Sequence, residues 1–111
     1  MYSINIMATE TIGCVKAATK ILGDKWTPQL LRFFVNEEVV RFCQMQDLVE
    51  GINPRTLSAR LDYLEEEGII SKNATTSQAR CEYRLTQKGS ELIPILKDMQ
   101  LWSDRYTQVA A

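Results

Sequence analysis

The sequence predicts a mainly α fold with one small β-hairpin, an α+β arrangement dominated by short helices. Three observations lead to it. Apolar residues recur at helical spacing from Val15 to Leu64, interrupted by glycines and short polar joints. Between Gly68 and Leu85 the period gives way to strand-like residues around a polar middle. From Leu92 onward the helical spacing returns.

Taken in order, Val15, Ala18 and Leu22 predict a short first helix closed by Gly23. In "KWTPQLLRFFVNEE" the pattern restarts: Thr27 is expected to cap, Pro28 suits the first helical position, and Leu30, Leu31 and Phe34 continue one apolar face. Trp26 is expected in the core. "VVRF" is short and β-branched, which predicts an extended segment. Cys43 to Glu50 follows as a brief helix with Met45, Leu48 and Val49 inward, closed by Gly51. Asn53 caps the next helix, Pro54 opens it, Leu57, Leu61 and Leu64 form its buried stripe, and Gly68 ends it. Two helices of this size joined by so few residues predict a helix-turn-helix at about 42–67. "IISKNATTSQARCEYRL" predicts a hairpin, or wing, at about 69–85. The last helix, about 87–108, carries Leu92, Ile95, Leu96, Met99, Trp102 and Tyr106 on one face, with a start or kink near Pro94. This order predicts a single winged helix-turn-helix domain across residues 1–111.

Composition narrows the function classes. With 45% hydrophobic and 24% charged residues the chain has the make-up of an ordinary globular protein. No apolar run approaches the roughly 18–20 residues of a membrane span, and "MYSINIMATE" has neither a basic n-region nor a long apolar h-region. A cytoplasmic chain with no membrane partner is therefore expected. Thiols are kept reduced there, so Cys14, Cys43 and Cys81 are not expected to form a disulfide framework. With no histidine at all, the commonest acid/base residue and metal ligand is missing. The cysteines form no C-x-x-C pair, and no glycine-rich phosphate loop occurs. These features predict no enzyme, no metal and no cofactor.

The stretch "INPRTLSARLDYLEEEG" is basic at its front and acidic at its back. At 100° per residue, Leu57, Leu61 and Leu64 face one way, leaving Arg55, Thr56, Ala59 and Tyr63 facing the other. A guanidinium, hydroxyls and a small residue are suited to reading base edges in a major groove, and double-stranded DNA is the expected partner. Glu65, Glu66 and Glu67 lie at the end that leaves the groove in such docking. Residues 61–67 hold four acids and no base, whereas 68–88 hold Lys72, Arg80, Arg84 and Lys88 against Glu82 alone. The net charge of −1 thus averages unlike surfaces. The acidic pI near 5.4 argues for fewer phosphate contacts than a basic domain would make. So short a chain cannot bury a long terminal helix in its own core, so Leu92, Ile95, Met99, Trp102 and Tyr106 are expected at a homodimer interface.

"LGDKWTPQLLRFF", "RFCQMQDLVEGINPRTLSARLDYLEEEGII" and "EYRLTQKGSELIPIL" together resemble the HxlR family of bacterial winged helix-turn-helix transcription regulators, from about Cys14 to Trp102. The resemblance implies a homodimer, held by its terminal helices, on a short inverted-repeat operator. It implies that Pro54, Arg55, Thr56, Ser58 and Arg60 belong to the DNA-reading helix, that Arg41 precedes the first helix of the motif, and that the 69–85 hairpin is the wing. The residues' own pattern of cap, outward face and charge adds Asn53, Ala59 and Tyr63 of that helix and Lys72 and Arg80 of the wing as expected DNA contacts. Three differences stand out. The tip "NATTSQAR" lacks the proline many members carry, Gln44 and Met45 stand where the family has glutamate and leucine, and Gly13 and Cys14 occupy its cysteine and proline positions.

Some members sense electrophiles or oxidants through that cysteine, which makes Cys14 the redox candidate. The other reading of Cys14 is a small apolar packing residue, the role also expected of Cys43 and Cys81. Two further function classes stay open at this level: a winged helix used as a protein-interaction module, favoured by the acidic pI, and a thiol enzyme using Cys14. The sequence specifies no operator and no small-molecule effector.

Overall fold

The computed structural model describes residues 12–74 and 77–107. Its first helix, α1 (Lys16–Leu22), reaches the core only with its last turn. Ile21 is buried and Leu22 half-buried, whereas Val15 is exposed, so the inward face is rotated from the one the spacing predicts.

Helix α2 (Thr27–Leu31) follows and continues as a 3₁₀ turn over Arg32–Phe34, burying Leu30, Leu31 and Phe34. The sequence assigns its cap to Thr27, but Asp24 does that work. One Asp24 oxygen accepts the N–H groups of Trp26 and Thr27 at 2.7 and 2.8 Å, and the other accepts the Thr27 hydroxyl at 2.6 Å. Thr27 is itself fully buried. Trp26 is half-buried at the edge of the core rather than inside it, with the Lys25 ammonium 4.7 Å over its ring.

The extended segment is strand β1 (Val40–Arg41), which runs directly into α3 (Phe42–Leu48). The Gln44 side-chain oxygen accepts the Arg41 N–H at 2.7 Å, the reciprocal half of a capping box, so glutamine serves at this position. Phe42, Met45 and Val49 are buried. Leu48, expected inward, is 59% exposed: the helix ends there, and the extended backbone at Val49 gives that residue the core position instead. Cys43 is exposed rather than packed, and Cys81 is buried.

Gly51, with φ +86°, turns the chain toward α4 (Pro54–Glu66). Asn53 caps it by accepting the Thr56 N–H at 2.8 Å. Leu57, Leu61 and Leu64 are its buried residues. At the far end Gly68 takes φ +77°, its N–H bonds the Glu65 carbonyl at 3.0 Å, and the Ile69 N–H bonds the Leu64 carbonyl at 2.9 Å. This is a Schellman motif, which a glycine at that position permits.

Strands β2 (Ile70–Asn73) and β3 (Glu82–Leu85) pair antiparallel, and β1 adds to the other edge of β3, giving the order β1-β3-β2. The predicted hairpin is therefore part of a three-stranded sheet. Tyr83 is its inward anchor, and burial, with Cys81, Asp62 and Glu65 nearby, pushes its phenol up to about 12. A 3₁₀ turn over Gln78–Arg80 leads into β3.

The terminal segment is two helices rather than one. Helix α5 (Gln87–Ser90) is capped by the Thr86 hydroxyl, which accepts the Gly89 N–H at 3.0 Å. After a break at Glu91 and Leu92, α6 (Ile93–Tyr106) starts with Pro94 in its first turn, where a missing N–H costs nothing. Leu92 and Leu96 pack against the core, but no residue of α6 is buried. The predicted residue 108 lies outside the described residues.

Gly89 fixes how closely α5 approaches the sheet. A Cβ there would lie 2.1 Å from the Ile69 carbonyl oxygen, a backbone atom that also accepts the Thr86 N–H. Gly89→Ala is expected to destabilise the fold by about 1–3 kcal/mol in urea denaturation, and an unchanged midpoint would contradict this packing.

Candidate nucleic-acid interface

Helix α4 presents one open face. Arg55 and Ala59 are exposed on it, and Thr56 is half-buried beside them. Asn53 and Pro54 stand exposed at its start. The Arg55 side chain has no ion-pair or hydrogen-bond partner among the described residues, so its five donors are available to another molecule.

Both flanks of this face are bonded to the rest of the domain. On one side the Gln78 amide donates to the Ser58 hydroxyl at 3.1 Å, which sets the Gln78–Arg80 turn against α4. On the other side the Arg60 guanidinium lies 3.3 Å from Asp24 and 5.1 Å over the Tyr63 ring. The Tyr63 hydroxyl donates to the Lys20 carbonyl at 3.3 Å, and the Lys20 ammonium pairs with Glu67 at 3.4 Å. The end of α4 is closed by Lys88, which donates to the Glu67 carbonyl at 2.8 Å.

Charge is sorted along the same face. Asp62, Glu65 and Glu66 line a shallow cleft with Ala59 and Tyr63 beyond the first two turns. On the sheet side, Arg41 is tied to Glu82 at 3.4 Å and Arg84 to Glu38 at 3.0 Å. Lys72 and Arg80 are exposed and make no ion pair among the described residues. Arg55, Lys72 and Arg80 are thus uncompensated positive charges of α4 and the wing.

A second surface lies on α6. Ile95, Met99, Leu101, Trp102 and Tyr106 are exposed, and the Trp102 and Tyr106 ring centroids are 5.2 Å apart. Leu92 turns to the core instead of joining them. A groove of about 550 Å³ runs between α2 and α6, with Pro28, Val35, Leu96 and Met99 among its walls. Cys14 is exposed just ahead of α1, and its sulfur accepts the Lys16 N–H at 3.4 Å.

The model of the HxlR-like helix-turn-helix family matches residues 21–111, which takes in α2 to α6 and the three strands but begins after Cys14 and Lys20. The chain belongs to the HxlR-like helix-turn-helix family. It is 31% identical over 90 residues to the HTH-type transcriptional regulator YvaP of Bacillus subtilis, covering 80% of this chain and 82% of that one. An HTH-type regulator of Methanothermobacter thermautotrophicus is 31% identical over 107 residues, covering 95% and 81%. Among solved structures, the redox regulator HypR in its reduced form superposes with a TM-score of 0.76 at 27% identity, over 86% of this chain and 94% of HypR. These relatives are transcriptional regulators, not enzymes. No helix among the described residues of this HxlR-like chain is long and apolar enough to cross a membrane.

Two residues that organise the face escape a reading of periodicity. Asp24 carried a signal, because an acid three residues ahead of Thr27 is a capping pattern. Gln78 carried none, since its bond to Ser58 spans 20 positions. Leu101 joins the exposed apolar set although it lies off the stripe that the spacing marked.

Asp24 is the electrostatic centre of one flank. Burial alone would raise its pKa, but the Thr27 hydroxyl, the Thr27 and Trp26 N–H groups and the Arg60 charge outweigh it and hold the carboxyl below its ordinary 3.8. A depressed folded value means that its stabilisation is present above the unfolded value and is lost as pH falls through the folded one. Asp24→Asn is expected to lower stability at pH 7 by about 1 kcal/mol, with the gap closing below about pH 4. Urea titrations at both pH values check this, and a gap independent of pH would refute the assignment.

Proposed function

We propose that this chain is a single winged helix-turn-helix unit acting in the cytoplasm as a homodimeric transcription regulator on a double-stranded inverted-repeat operator. The observation that carries the reading is the outward face of α4, with Arg55 unpaired, Ala59 small and both flanks immobilised. Arg55 suits bidentate contact with a guanine, and Ala59 lets the helix backbone approach the base edges. Asn53 and Pro54 lead the helix into the groove, with Thr56 and Ser58 contributing hydroxyls. Lys72 and Arg80 supply backbone phosphate contacts around it, and Arg41, paired with Glu82 but with its side chain 54% exposed, adds a further one. The acidic end near Glu65 and Glu66 is repelled by phosphate and sets how far the helix runs along the groove.

Dimerisation is supported by the apolar residues Ile95, Met99, Leu101, Trp102 and Tyr106 standing exposed on one terminal helix. Two such subunits present their recognition helices to half-sites about one turn of DNA apart, roughly 34–36 Å. Cys14, exposed beside α1, is the thiol through which oxidants or electrophiles act, in keeping with the redox description of HypR.

The test is fluorescence anisotropy of the reduced protein on a duplex that it selects from random sequence, against a scrambled duplex of equal length. Sequence-dependent binding by two chains per duplex is expected, with Arg55→Ala losing about 1–3 kcal/mol of it. Equal, salt-driven binding to both duplexes, or full affinity in Arg55→Ala, would sink the reading and favour a protein partner. For the thiol, Cys14→Ser is expected to retain operator binding after diamide treatment that releases the wild type. A variant released like the wild type would remove Cys14 from the mechanism.

A further inference from the structure

The geometry points to Arg60 as a positioning residue, which acts through Asp24 to set the angle at which the Arg55 face of α4 meets DNA, rather than as a DNA contact. This rests on the function proposed above. Arg55 and Arg60 are five residues apart, about 140° around the helix axis, so they do not share a face. Arg60 turns toward the corner between α1 and α2, where its guanidinium meets Asp24 at 3.3 Å and the Tyr63 ring at 5.1 Å, with the side chain only 31% exposed.

Asp24 is a rigid anchor because it is already held by the start of α2. Its two oxygens take the Trp26 and Thr27 N–H groups, the Thr27 hydroxyl and Arg60. Drawing Arg60 away to a phosphate would leave a part-buried carboxylate without its counter-charge. The leucine stripe beneath α4 is non-directional and fixes the depth of the helix but not its roll. Directional bonds on the flanks fix the roll; the Arg60–Asp24 pair ties the middle of α4 to the α1–α2 corner, and the Lys20–Glu67 pair ties its end to α1. Tyr63 and Lys20 reinforce that side, and Gln78 opposes it from the wing.

The inference separates from direct contact by the sign of the Asp24 effect. If Arg60 touched phosphate, Arg60→Gln would weaken binding to every duplex and reduce the salt slope by about one charge, while Asp24→Asn, which removes an acid, would strengthen binding. If Arg60 positions, both variants lose about tenfold in affinity for the selected duplex, about 1.4 kcal/mol. Affinity for scrambled duplex and the salt slope stay as in the wild type, and the double variant is no worse than either single one. Tighter binding by Asp24→Asn, or a reduced salt slope in Arg60→Gln, would overturn the proposal.

Residual dipolar couplings of the 54–66 amides in the free protein give the tilt of the helix and, from their periodic variation along it, its roll, without DNA. Both variants should change the roll in the same sense, and an unchanged roll would refute the positioning role even where no duplex is bound specifically. Arg55→Ala is the control: full operator affinity in that variant would count against the DNA-binding reading while leaving the roll measurement intact.

Discussion

The candidate nucleic-acid face of this domain depends on how α4 is gripped. Three leucines, Leu57, Leu61 and Leu64, hold it from beneath, each contributing about 2 kcal/mol by leaving water. Asn53 and the Schellman turn at Gly68 close its ends. The flanking bonds to Asp24, Lys20 and Gln78 then remove the rotational freedom that apolar contact leaves. What remains outward is narrow: a free guanidinium, a methyl-sized gap and, further along, an acidic end. A rigidly held element with one unpaired cation is a geometry for recognition, because the ordering of that face is complete before a partner arrives.

Charge distribution matters more than charge total in such a domain. A net charge of −1 would suggest indifference to a polyanion. The ion pairs show where the bases are engaged: Arg41, Arg60 and Arg84 are each matched by an acid, whereas Arg55, Lys72 and Arg80 have no ion pair among the described residues. The acids of α4 with no ion pair among the described residues, Asp62, Glu65 and Glu66, gather beyond its first two turns. Separation of sign along one helix lets an acidic protein keep a cationic front.

The helical face of α4, its caps and the return of helical period near Pro94 were legible because each rests on residues within one or two turns of each other. What local spacing does not show has the opposite cause. The partners of Arg60 and Ser58, Asp24 and Gln78, lie 36 and 20 positions away, so no local pattern reveals those bonds. Leu48 and Trp26 have core-type side chains, but the helix end at Leu48 and the Asp24-capped turn around Trp26 leave them outside or at the edge. The long terminal helix starts anew at Pro94, as that proline suggested, whereas the close approach of Gly89 to Ile69, which holds the short helix ahead of it against the sheet, has no local signal.

The central claim is that the outward face of α4, together with the Gln78–Arg80 turn, is the surface that meets DNA. The most direct test is to titrate a selected duplex into isotope-labelled, reduced protein and follow every backbone amide. The account predicts the largest shifts at residues 53–59 and around 78–80, with the α6 amides from Ile95 to Tyr106 nearly still. Shifts concentrated on α6, with those of α4 unmoved, would contradict it.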